Sequence, residues 1–179
     1  MKPSKNQFNL SEMLIKSNGT VHIEYKSNIA DGQEVLNITS KEEFGYLPHK
    51  DLTDVLQKYK PMLATCFYYD LTRKGEVDNI LSKITVTGIK LTGSDKTRGI
   101  VIKGSIKSKN NRNMPLNTEN LRYNSTKYGF EDSFQELEEA IINEAYAFIF
   151  EDKRGQLKLF NNVDMTEDEE ILETQEQEN

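Results

Sequence analysis

Residues 84–109 read ITVTGIKLTGSDKTRGIVIKGSIKSK, and this stretch decides the fold. Two runs rich in Ile, Val and Thr flank the turn-forming residues 92–97, which is the pattern of an antiparallel β-hairpin. In the first run Ile84 and Val86 share a face, while Ile89 and Leu91 have the opposite parity. Gly88 lies between the two pairs, so a β-bulge there returns all four to one apolar face. In the second run Ile100, Ile102 and Ile106 alternate with Lys103, Ser105 and Lys107, and Lys109 continues the basic side. Residues 88–97 resemble a Walker A loop only superficially. Their Lys-Thr falls two residues late, and a strand follows where a helix is required.

Downstream, a third short strand is expected near residues 120–123. Asp132 or Ser133 then caps a helix, with Gln135 or Glu136 completing a capping box. Phe134, Leu137, Ile141, Ala145 and Phe148 are spaced 3, 4, 4 and 3 apart along one stripe of it. Gly155 ends that helix, and QLKLF at 156–160 is expected to return as an edge strand.

Upstream, Leu52, Val55, Leu56, Tyr59, Met62 and Leu63 form another helical stripe after Pro48. Pro61 makes this a kinked or restarted helix. Strands are expected at 20–25 and 33–39, with Asp31-Gly32 as the hairpin pair. Residues 1–19 read as a polar arm in which Ser11 caps a brief helix. The expected order is β-β-α-β-β-(β)-α-β. That is an α+β fold, an antiparallel sheet with two main helices packed on one face. One domain over 20–160 is followed by an acidic tail, expected to be disordered, over 161–179. A sheet edge near 20–40 invites dimerisation.

The scarce residues exclude several chemistries among the chain's 179 residues. One cysteine, Cys66, permits no intramolecular disulfide, and its apolar setting in LATCFYY reads as a small buried hydrophobe. His22 and His49 are the two histidines, too few for a Cys/His zinc site, and His22 reads as an exposed strand position. No stretch approaches a membrane span, and no apolar segment near the N-terminus suggests a secretory signal, so the expected location is the cytoplasm. No catalytic motif stands out. The reading is a binding protein without cofactor or metal, not an enzyme.

Charge is the most informative feature. The chain carries −6, but residues 164–179 (DMTEDEEILETQEQEN) hold eight acids and no base, leaving the rest at +2. Residues 96–128 hold Lys96, Arg98, Lys103, Lys107, Lys109, Arg112, Arg122 and Lys127 against Glu119 alone. Tyr123 and Tyr128 lie among them. Basic side chains that track phosphates, with aromatics to stack on bases, are what a single-stranded nucleic-acid surface requires. These ten residues are the candidate site. A solvated basic loop gives the same composition without function. The acidic tail could fold back over the basic groove, or present Ile171 and Leu172 to a protein partner.

Three segments carry a resemblance: YLPHKDLTDVLQKYKPMLA, then ITVTGIKLTGSDKTRGIVIKGSIKS with its downstream MPLNTENLRY, then FQELEEAIINEAYAFIF. Together they cover roughly residues 46–150, and in pattern and order they are similar to small tailed-phage proteins encoded among replication and recombination genes. The basic body with an acidic tail resembles the layout of phage and bacterial single-stranded DNA-binding proteins. The tail departs from that layout by ending in Glu178-Asn179, without an aromatic tip. The resemblance implies a role in DNA metabolism and transfers no individual site residue. The rival expectation is an interaction protein, a host-factor inhibitor or virion accessory, acting through its acidic helix and tail.

Overall fold

The computed structural model describes residues 2–31, 34–67, 74–124 and 130–155. Seven strands form one antiparallel sheet: β1 Phe8–Ile15, β2 Val21–Asp31, β3 Glu34–Phe44, β4 Ile84–Thr92, β5 Gly99–Lys107, β6 Asn113–Asn117 and β7 Leu121–Arg122. The spatial order is β3-β2-β1-β4-β5-β6, and β7 pairs with the other end of β5. Helices α1 Lys50–Gln57, α2 Lys60–Phe67 and α3 Lys74–Lys83 lie between β3 and β4, and α4 Glu131–Phe150 follows β7. Helices α1 and α2 pack on β4, α2 also on β5, and α4 on β1 and α1. The α+β class and the antiparallel sheet agree with the reading of the sequence. No helix among the described residues is long and apolar enough to cross a membrane.

The β4–β5 hairpin forms as its alternation dictates. Its register shifts between Val86 and Gly88, and the bulge places Ile84, Val86, Ile89 and Leu91 together in the core. A Cβ on Gly88 would run into the carbonyl oxygen of Met13, so glycine is what lets β1 approach β4. Ile100, Ile102 and Ile106 join the same core from β5. The helix expected across Pro61 is a restart: α1 ends at Gln57, and Pro61 sits in the first turn of α2, where its missing N–H costs nothing.

The N-terminal segment differs from the expectation. Residues 8–15 are not a brief helix in a polar arm but an inner strand, between β2 and β4. A register shift between Leu10 and Glu12 explains the misreading. Phe8 and Leu10 have one parity and Met13 the other, so their spacing imitates a helix although all three are buried on one face. The fold therefore begins well before residue 20. Strand β6 and helix α3 add to the expected order, β3 runs on to Phe44, and the strand expected at 156–160 lies outside the described residues.

Helix α4 also starts earlier than its polar caps suggest. Phe130 is its N-cap, with no side-chain capping bond. Its carbonyl oxygen accepts from the N–H groups of Ser133 and Phe134, and its ring meets Phe134 edge-on at 6.0 Å. Aromatic packing thus sets the entry. Cys66 is half-buried and packs against the core.

A candidate nucleic-acid interface

With the helices on one face, the other face of the sheet is open among the described residues, and its charge is divided by strand order. On that face β1, β2 and β3 present Glu12, Glu24 and Glu43 against Lys26 and Lys41, while Glu42, opposite the buried Ile23, lies on the helix side and accepts from the Tyr25 hydroxyl at 2.6 Å. Strands β4 to β7 carry Lys90, Lys103, Lys107 and Arg122 and no acid. Register puts all four on the open face: Lys90 pairs with Val101 and Arg122 with Gly99, both in phase with Lys103 and Lys107. They form a track over β5, about 27 Å from Gly99 to Lys107 at the rise of an extended strand.

Lys90, Lys107 and Arg122 are exposed. Lys103 is half-buried and ion-paired with Glu12 of β1. At one end of the track Lys96 is exposed on the turn Asp95–Thr97. At the other, the β5–β6 turn is closed by Ser108 N–H to the Arg112 carbonyl at 2.8 Å, with Asn111 in the left-handed region at φ 58. That turn presents exposed Lys109 and Arg112. Lys90 was absent from the sequence-based candidates. Counting parity through the Gly88 bulge would have found it.

Two candidates take other roles. Arg98 donates from Nε to Glu138 Oε1 at 3.0 Å and from Nη1 to the Gly93 carbonyl at 3.1 Å. Tyr123 stacks flat on Phe134, with centroids 4.6 Å apart and planes 6° from parallel, and its hydroxyl also donates to Glu138. Burial, then the Glu138 carboxylate, push the Tyr123 hydroxyl far above its ordinary value. Burial opposes the Arg98 charge, but the bonds to Glu138 hold it above its ordinary value. Arg98 and Tyr123 therefore clamp the β5–β7 end onto α4 and leave the open face, so Tyr123 is not placed as a stacking platform for bases. Beside the clamp opens a cavity of about 570 Å³ whose charged lining is Asp95, Glu138 and Glu139 against Arg98, a net acidic setting that disfavours an anionic strand. Lys127, Tyr128 and the tail lie outside the described residues.

The acidic half of the open face is neutralised internally. Lys16 pairs with Glu43 at 2.5 Å and Lys41 with Glu24 at 2.7 Å. The Lys41 bond holds the Glu24 carboxyl below its ordinary value against burial. His22 is half-buried rather than exposed, between Glu24 at 3.4 Å and Glu43 at 3.7 Å.

One cluster could suggest a metal. His49, Asp51 and Glu144 bring ligand atoms within 4.8 Å of one another. The Lys153 ammonium already lies 2.8 Å from both carboxylates. His49 Nδ1 accepts the Leu52 N–H at 3.2 Å as the N-cap of α1. That assigns the imidazole proton to Nε2, which faces Glu144 at 3.4 Å. A nitrogen carrying a proton offers no lone pair to an ion, and the donor set reads as a staple between α1 and α4.

Comparison with known proteins assigns no relative: no family model, curated protein or solved structure matches the chain.

Proposed function

We propose that this chain is a non-catalytic protein that binds single-stranded DNA with little sequence preference. The single observation that carries the reading is the acid-free basic track over β4 to β7 on a sheet face that no described element covers. Lys90, Lys107 and Arg122 hold phosphates along β5, Lys109 and Arg112 extend the track at its far end, and Lys103 is held by Glu12. The acidic tail competes for the same surface and so modulates occupancy. The setting is phage or bacterial DNA replication or recombination, in the cytoplasm of the cell.

The test is fluorescence anisotropy of a labelled strand of ~30 nucleotides, longer than the ~4–16 nucleotide footprint of a single binding module. Full-length protein is compared with a chain ending at Val163. Binding that weakens with salt and strengthens on tail removal supports the reading. No binding by either chain at low salt overturns it.

A second reading has its own observation: α4 carries six acids and no base, with Glu136 and Glu139 exposed. In it the protein is an interaction factor whose acidic helix and tail meet a basic partner protein. Neutralising Lys107 and Arg112 leaves that activity intact, whereas deleting 164–179 abolishes it.

A further inference from the structure

Strand β1 stops at Ile15, so among the described residues no strand pairs with the first half of β4 on that side. Gln57 of α1 covers part of the gap. Its Nε2 donates to the Val86 carbonyl at 2.9 Å, and its Oε1 accepts the Val86 N–H at 3.2 Å, the two bonds a neighbouring strand would make. What remains is a cleft of about 530 Å³. Its lining holds no carboxylate. Lys16 is its one charged residue, and the polar groups of Thr85, Ser105 and Asn113 share it with the apolar Ile15 and Pro115.

The cleft is placed within the track. Thr85, Ser105 and Pro115 form one row across β4, β5 and β6 on the open face. Ser105 lies two residues from Lys103 and two from Lys107, about 7 Å along the strand in each direction. A carboxylate-free lining of hydroxyls and amides with apolar walls suits an uncharged planar heterocycle. The exposed Lys107 ammonium beside it suits an adjoining phosphate.

Resting on the nucleic-acid reading, we infer that this cleft takes one unstacked nucleobase of the bound strand. Thr85, Ser105 and Asn113 meet the polar edge of the base, Pro115 and Ile15 meet its faces, and Lys107 holds the adjoining phosphate. Base contact thus adds to a charge-driven interface at one defined point.

The experiment compares anisotropy of an ordinary DNA oligomer with one of equal length carrying abasic deoxyribose throughout. Both are titrated with the full chain and with Ser105→Ile, a β-compatible change that fills the cleft. The wild-type chain is expected to bind the ordinary strand about tenfold more tightly than the abasic one, the scale of one base contact. Ser105→Ile is expected to lose that difference while binding the abasic strand as the wild type does. Equal wild-type affinity for the two strands overturns the base subsite and leaves the nucleic-acid reading standing. Equal weakening of both strands by Ser105→Ile also overturns it. Failure of the wild-type chain to bind either strand removes both.

Discussion

Lys103 of β5 forms its ion pair with Glu12 of β1 across the intervening strand β4. The residue of β4 opposite Lys103 is Gly88, which has no side chain to stand in the way. Glu12 is the acid of the neighbouring strand that reaches the basic track, and it holds one lysine of the track in place. Glu12→Gln is therefore expected to release Lys103 for phosphate. Affinity for single-stranded DNA should rise, and the log-log salt slope should steepen by about 0.7, one further contact. Weaker binding by Glu12→Gln would mean that the pair positions Lys103 rather than withholding it.

Tyr123 separates a structural role from an interface role. Its ring is stacked on Phe134 and its hydroxyl bonded to Glu138. Tyr123→Phe removes the hydroxyl and is expected to cost about 1 kcal/mol in urea unfolding with DNA affinity unchanged. A variant of normal stability that loses DNA affinity would put the ring at the interface instead.

His49 gives the fold a pH dependence. Burial first, then the charge of Lys153, lower its value from the ordinary 6.5, opposed by Glu144 and Asp51. The folded state therefore binds fewer protons at this site than the unfolded chain, and stability rises with pH through the window. The contribution is complete above about pH 6.5, the unfolded value, and is lost as pH falls below it toward the folded value. A proton on Nδ1 also removes the acceptor that caps α1. The melting temperature is expected to drop between pH 7 and 5, and His49→Asn, which keeps a capping oxygen without a titrating ring, should flatten that drop. A wild-type profile matching that of His49→Asn would contradict the staple.

Much of the fold was legible because core periodicity is local. Gly88 announced its bulge, and the stripe of α4 was readable from Phe134 to Phe148. Strand β1 was not, because its register shift at residues 10–12 has no glycine to mark it, and Phe8, Leu10 and Met13 fall into a helix-like spacing. Strand β6, NMPLN, is short, largely exposed and contains a proline, so it lacks an alternating apolar signal. The basic cluster was visible as composition. Its division into an open track and a buried clamp was not, because Arg98 and Tyr123 are committed by Glu138, 40 and 15 residues away. The charge polarity of the sheet depends on β1 entering beside β4, a long-range pairing that no local pattern encodes.

The most direct test of the central claim is the salt dependence of single-stranded DNA binding by the wild-type chain and by a Lys90→Ala, Lys107→Ala, Arg122→Ala triple variant. Contacts from exposed Lys90, Lys107, Lys109, Arg112 and Arg122 predict a log-log slope of about −3.5, falling to about −1.4 in the variant. A wild-type slope near zero, or a variant that binds as the wild type does, would contradict the basic track.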